Sequence, residues 1–158
     1  MAQAFVLTVS DGVSAGTRRD LSGEALRELL AGAGFQVAHA VAADEPEQIA
    51  RLIRAAADGG SELIVTTGGT GLGPRDVTPQ ATRPLLDFEV PGLAEEMRRA
   101  GTAQTPMAVL SRSLAGVRGR SLVLNLPGSA RGATESLEAV LPVIPHALQL
   151  LRGETQHS

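Results

Sequence analysis

Four glycines within six residues, Gly68-Gly69-Thr70-Gly71-Leu72-Gly73, form the sharpest chemical signal in the chain. With no side chains to shield them, successive backbone N–H groups can make a concavity that binds anions. The spacing G-G-x-G-x-G is not the G-x-G-x-x-G dinucleotide fingerprint. A tight turn needing positive φ would also use glycine, but the density of glycines among threonines favours a ligand. Asp76 follows Arg75 and precedes a helix start at Thr78-Pro79. A carboxylate beside bound phosphate is repelled unless a cation intervenes. Mg²⁺ suits that place, since it is usually held by one or two carboxylates plus substrate phosphates. Asp44 is a second carboxylate of interest. However, Asp44-Glu45-Pro46-Glu47 also reads as a capping box, with Asp44 as the N-cap and Glu47 three residues on. Asp11, in Ser10-Asp11-Gly12, is either a site carboxylate or an ordinary turn residue.

Half of the arginines fall in or beside such loops: Arg18, Arg19, Arg75, Arg112, Arg118, Arg120 and Arg131. Each can make bidentate phosphate contact or simply be solvated surface charge. His39 and His146 read as packed or surface residues rather than catalytic ones. The chain has no Cys, which removes disulfides, zinc fingers, iron–sulfur clusters and thiol nucleophiles. It has no Lys, which removes the Walker-A loop and Schiff-base chemistry. A net charge of −3 with three Phe and no Trp or Tyr argues against a nucleic-acid partner.

Something must position these loops, and the pattern is strand–helix alternation. Phe5–Val9, Phe35–Ala42, Leu63–Val65, Met107–Leu110 and Leu122–Leu126 read as strands. Helices are expected from about Ser22 to Ala33 and around Ile49–Ala56. Others are expected from Thr78, from Leu93 to about Gly101, and over Ala133–Leu151 with a break at Pro142 and Pro145. This predicts one α/β domain over residues 1–153: a three-layer fold, mainly parallel sheet with helices on both faces. Residues 154–158 read as a tail. No apolar run approaches the roughly 18 residues of a membrane span. No basic segment precedes the first apolar stretch, so a cytoplasmic protein is expected. In open α/β sheets ligands bind beyond the carboxyl ends of the strands. The Gly68–Gly73 loop, Ser10-Asp11, Asp44, Ser111-Arg112-Ser113 and Asn125-Leu126-Pro127-Gly128-Ser129 all follow predicted strands. Hydroxyls, glycine amides and isolated carboxylates on one crest suit a phosphorylated, metal-bound ligand.

At these same residues the chain resembles the MogA/MoaB family of molybdenum-cofactor biosynthesis, including the plant Cnx and gephyrin G domains. The resemblance is carried by Ser10-Asp11-Gly12-Val13-Ser14-Ala15-Gly16, Thr67-Gly68-Gly69-Thr70-Gly71, Pro74-Arg75-Asp76-Val77-Thr78-Pro79, Leu110-Ser111-Arg112-Ser113 and Asn125-Leu126-Pro127-Gly128. It implies a molybdopterin adenylyltransferase that moves AMP from ATP to the terminal phosphate of molybdopterin. Asp44 and Asp76 would be its catalytic, Mg²⁺-holding carboxylates. The substrate-binding residues would be Ser10, Asp11, Gly68, Gly69, Thr70, Gly71, Arg75, Ser111, Asn125, Pro127, Gly128 and Ser129. The resemblance also implies a homotrimer and hand-over of product to a molybdenum-insertion protein. The alternative within the same family is a non-catalytic, MoaB-like molybdopterin-binding protein.

Overall fold

Along the central strands, neighbouring side chains enter opposite cores. On β1 (Gln3–Val9) Val6 packs to one side and Leu7 to the other. On β3 (Leu63–Thr67) Leu63 and Val65 join the side of Val6, and Ile64 that of Leu7. A strand with consecutive apolar residues, one to each face, must be covered on both faces. The computed structural model describes residues 2–154 and shows the coverage. The remaining elements are β2 (Gln36–Ala42), β4 (Phe88–Glu89), β5 (Ala115–Arg118) and β6 (Ser121–Leu126). The helices are α1 (Asp11–Ser14), α2 (Leu21–Gly32), α3 (Pro46–Asp58), α4 (Thr78–Thr82), α5 (Pro91–Thr102), α6 (Ala130–Val140) and α7 (Ile144–Leu151). Leu26 and Leu30 of α2, Met97 of α5, Leu137 of α6 and Leu148 of α7 fill one core. Ile49 and Ile53 of α3 and Ala81 of α4 fill the other.

The sheet order is β2-β1-β3-β6-β5-β4. The first four strands are parallel, in a register that sets Val6 beside Val65 and Val65 beside Leu124. The mainly parallel, three-layer architecture expected from the alternation is therefore the one present. Local signals match too. Asp20 caps α2 by accepting from the Gly23 amide at 3.0 Å. Ser129 caps α6 through the Gly132 amide, also at 3.0 Å. The helical stretch after Ala130 breaks into a 3₁₀ turn, Leu141–Val143, before α7.

One expected strand is absent. Met107–Leu110 lies in a 3₁₀ turn, Pro106–Leu110, whose Pro106 starts it and whose Thr105 hydroxyl accepts from the Met107 amide. Its apolar run has the composition of a strand interior, yet Met107 is 66% exposed. Two strands not expected complete the sheet: β4 runs antiparallel to β5, and β5 antiparallel to β6. They are two and four residues long, too short for a periodic signal. Gly116 of β5 also hides its role, because a Cβ there would meet the Phe88 carbonyl at 2.7 Å. Met1 and residues 155–158, which include His157 and most of the expected tail, lie outside the described residues.

Candidate active site

β1, β3 and β6 all end at one crest, and the loops leaving them enclose two adjoining cavities. One, about 500 Å³, is lined by Ser10, Arg18, Arg19, Asp20, Asp44 and Gly68, among others. The second, about 460 Å³, lies under α5 and the Pro106–Leu110 turn, with Met97, Met107, Leu110, Ser111 and Ser113 in its walls. Gly69, Asp76, Gly128 and Ser129 line both.

The wall between them is the glycine loop, and its backbone is fixed from several sides. Gly68 and Gly69 have φ of 107° and 70°, a region that L side chains avoid. Neither has room for a Cβ: at Gly68 it would sit 2.2 Å from the Val9 carbonyl, and at Gly69 2.3 Å from Thr78 Oγ1. The Thr78 hydroxyl donates to the Gly68 carbonyl, and the Thr78 amide to that of Gly69. Arg112 holds the rest of the loop: Nε donates to the Gly71 carbonyl at 2.8 Å and Nη2 to the Asp76 carbonyl at 2.7 Å. With these carbonyls engaged, the amides of Gly69, Thr70 and Gly71 make no backbone hydrogen bond among the described residues. Successive free amides of this kind can bind an anion.

The carboxylates surround it. Asp44 Oδ2 accepts from the Asp11 amide, and Asp11 Oδ1 accepts from the Asp44 amide, both at 2.9 Å. Arg75 grips Asp11 with two nitrogens, at 3.1 and 3.0 Å, and reaches Glu45. The Asp44 amide, and then Arg75, hold the Asp11 carboxyl below its ordinary pKa. Asp44 shifts the other way. Burial raises its pKa first, and the nearby charges of Asp11 and Asp76 add to that. Asp76 Oδ2 accepts from the Gly73 amide. Among the described residues, Asp44 and Asp76 thus each keep one carboxylate oxygen free of protein hydrogen bonds. Among the same residues no cluster of three or more His, Cys, Asp or Glu can hold a metal unaided. Two free carboxylate oxygens beside an anion cradle fit a hard cation that takes its other ligands from phosphates and water.

In the second cavity Ser111 donates to Ser113 Oγ at 2.9 Å, and Arg98 fixes that turn by donating to the Ser113 carbonyl. The walls are otherwise largely apolar, from Met97, Met107, Ala108 and Leu110. The arrangement suits a flat organic ring with an anionic end pointing at the glycine loop.

A domain described as a probable molybdopterin binding domain matches residues 5–146. This chain belongs to that family. A solved structure described as the molybdopterin biosynthesis enzyme MoaB of Thermus thermophilus superposes with a TM-score of 0.91 at 59% identity. That match covers 97% of this chain and 98% of the other. A molybdopterin adenylyltransferase of Helicobacter pylori is 41% identical over 152 residues, 94% of this chain and 86% of the relative. A molybdenum cofactor biosynthesis bifunctional protein of Chlorobaculum tepidum is 44% identical over 150 residues, 94% of this chain. The chain spans about half the length of that relative, 48%.

Most residues expected from the resemblance to this family meet at the crest, with three exceptions. Asn125 is fully buried; its Nδ2 donates to Thr66 and Thr82 hydroxyls behind the glycine loop, so it cannot touch a ligand. Asp11 and Arg75 line neither cavity and instead hold each other and the Asp44 backbone. Asp44 is not the N-cap of α3: Glu45 occupies that position, and the Gln48 side chain takes the Ala43 amide. The Asp44 carboxylate turns instead to Asp11. Thr78 is likewise no cap, since its hydroxyl is spent on Gly68. Arg118 and Arg120 belong to a concavity of about 750 Å³ at the opposite end of the sheet, where β5 turns into β6. Arg19 instead pairs with Glu24 while lining the first cavity. Met97, Arg98, Thr105, Glu135 and Ser136 carry no site signal in the sequence because they come from helices and turns, not from strand ends.

Proposed function

We propose that this chain is a molybdopterin adenylyltransferase. The observation that carries the reading is the shared wall: ligands in the two cavities would meet at Gly69, Asp76, Gly128 and Ser129. A site for two adjoining ligands is what group transfer requires. The relative from Helicobacter pylori, named for this activity and matched over 94% of the chain, supports it.

In this reading the polar cavity with Arg18 and Arg19 takes ATP, and the cavity walled by Met97 and Met107 takes molybdopterin. An oxygen of the molybdopterin terminal phosphate attacks the α-phosphorus of ATP. The bond from that phosphorus to the bridging oxygen breaks, and pyrophosphate leaves with its electron pair. Both reactants are anionic, so repulsion opposes their approach. The amides of Gly69, Thr70 and Gly71 and the N-terminus of α6 offset it with fixed dipoles. Holding the reacting phosphates at the shared wall supplies the orientation on which phosphoryl transfer mainly depends. Mg²⁺ held by Asp44 and Asp76 together with the phosphates would neutralise charge on the attacking and leaving groups. No protein nucleophile is needed, which suits a site without Cys or Lys.

The same reading includes a cytoplasmic homotrimer that passes its product to a molybdenum-insertion protein. Exposed Phe88, Val143 and Leu150 offer apolar surface for assembly, and among the described residues no helix is long and apolar enough to cross a membrane. The deciding experiment mixes the protein with ATP, Mg²⁺ and molybdopterin and follows pyrophosphate. One pyrophosphate per adenylylated pterin is expected. Tight pterin binding without pyrophosphate would favour the non-catalytic alternative.

A further inference from the structure

Resting on the reading that the second cavity holds molybdopterin, we propose that Glu135 and Ser136 of α6 recognise the pterin ring edge. The phosphate end of the substrate belongs at the glycine loop, so the ring must extend away from it. Two carboxylates line this cavity, Asp76 at the shared wall and Glu135 on α6. Asp76 is next to the phosphates, which leaves Glu135 for the ring.

The chemistry of a pterin matches that placement. N3–H and the 2-amino group are neighbouring donors on one edge, spaced like two N–H groups of a guanidinium. A carboxylate accepts both at once, in the geometry it uses for arginine. Glu135 is held for this task by Arg131, whose Nε donates to Oε1 at 2.8 Å. That bond orients the carboxylate and takes one lone pair of Oε1, so both oxygens can still accept. Arg131 itself is restrained by Gln104 at 3.1 Å.

Ser136 adds an independent observation. It is 4% exposed and lines the cavity, yet its hydroxyl makes no hydrogen bond among the described residues. Ser111 and Ser113, on the same cavity, are bonded to each other. Among the described residues the one fully buried side-chain atom without a partner is Asn125 Oδ1, so the Ser136 hydroxyl is open to the cavity and available to a ligand. A ring nitrogen or exocyclic group of the ligand would supply the missing bond. Met97 and Met107 supply polarizable faces against which an aromatic ring packs well.

The test uses the whole chain and two fluorescent probes: 6-hydroxymethylpterin monophosphate and its lumazine counterpart, in which the 2-amino group is replaced by oxygen. The lumazine turns an acceptor toward Glu135 and should bind at least about tenfold more weakly to the wild type. Glu135→Gln can donate as well as accept, so it should bring the two affinities within about threefold of each other. ATP affinity should stay unchanged, and circular dichroism should match the wild type. Ser136→Ala should weaken both probes about equally. Equal discrimination by wild type and Glu135→Gln would overturn the proposal while leaving the cavity reading intact. Unchanged pterin affinity in Ala108→Trp, which fills the cavity, would overturn the cavity reading itself, and failure of the wild type to bind either probe would do the same.

Discussion

Asp11 and Asp44 exchange hydrogen bonds, each carboxylate accepting the other's backbone amide at 2.9 Å. This clamp ties the loop after β1 to the loop after β2 and decides how the two aspartates divide their work. Asp11 is exposed and charge-paired with Arg75. Asp44 is pressed towards the cavity, where burial and neighbouring carboxylates make its negative charge costly. A cation shared with Asp76 would relieve that cost.

The first prediction follows from the strain on Asp44. Its folded pKa is raised, so the folded chain binds its proton more tightly than the unfolded chain. The resulting stability is present below the unfolded pKa of about 3.9 and is lost as pH rises through the raised value. At neutral pH the ionised carboxylate is a net cost. Asp44→Asn should therefore melt at the same temperature as the wild type or higher, while pyrophosphate release falls by about 100-fold or more, roughly 2.7 kcal/mol. A large drop in melting temperature would show that the carboxylate is structural instead.

Asp76→Asn should behave similarly in activity. Asn can still accept from the Gly73 amide but loses the charge a divalent cation needs. Wild-type turnover at saturating Mg²⁺ would refute the metal assignment at this position.

The glycines differ in what blocks them. At Gly68 the obstacle is the Val9 backbone, and at Gly69 it is the Thr78 hydroxyl, which could move only by giving up its bond to the Gly68 carbonyl. Gly69→Ala should cost on the order of 1–3 kcal/mol from its positive φ, and Gly68→Ala should cost more. Both should weaken ATP binding by isothermal titration. Equal, negligible losses from urea unfolding would contradict the loop geometry.

Asn125→Ala should act through the same loop from behind. It leaves the Thr66 and Thr82 hydroxyls without their buried donor, a loss of about 1–3 kcal/mol. Because Thr82 donates to the Thr78 carbonyl and Thr78 holds Gly68, KM for ATP should rise more than kcat falls. An unchanged KM with a full stability loss would confine Asn125 to the core.

His39 supplies a pH test away from the carboxylates. Burial, and then Arg27, lower its pKa against the opposing pull of Asp20. The unfolded chain then takes up a proton near its ordinary pKa of about 6.5, which the folded chain resists. Stability from this group is complete above that pH and declines as pH falls towards the folded value. His39→Gln should flatten the melting-temperature profile between roughly pH 5 and 7.5. A profile identical to the wild type would remove His39 from the account.

The central fold was legible because β1, β3 and β6 each carry a continuous apolar run and the helices between them repeat at helical spacing. The glycine loop and Asp76 were legible because positive φ and uncapped charge leave marks on residue type. The short strands β4 and β5 left none, since two and four residues are too few for a period to show. Asn125 misled because its motif touches the crest while its side chain turns into the core. Asp44 misled the other way: its spacing to Glu47 resembled a cap, and only the fold shows Asp11 as its partner. Glu135 and Ser136 were invisible because nothing in a helical stretch says which turn will overlook a cavity.

The contact between Gly68 and Gly128 has an evolutionary consequence. A Cβ on Gly128 would sit 3.3 Å from Gly68 Cα, so the partition between the cavities is main chain against main chain. Side-chain replacement can remodel the outer rims, where Arg18 and Met107 stand, without moving the partition. Descendants of such a scaffold are free to exchange the molecules they hold while keeping the place where two ligands meet.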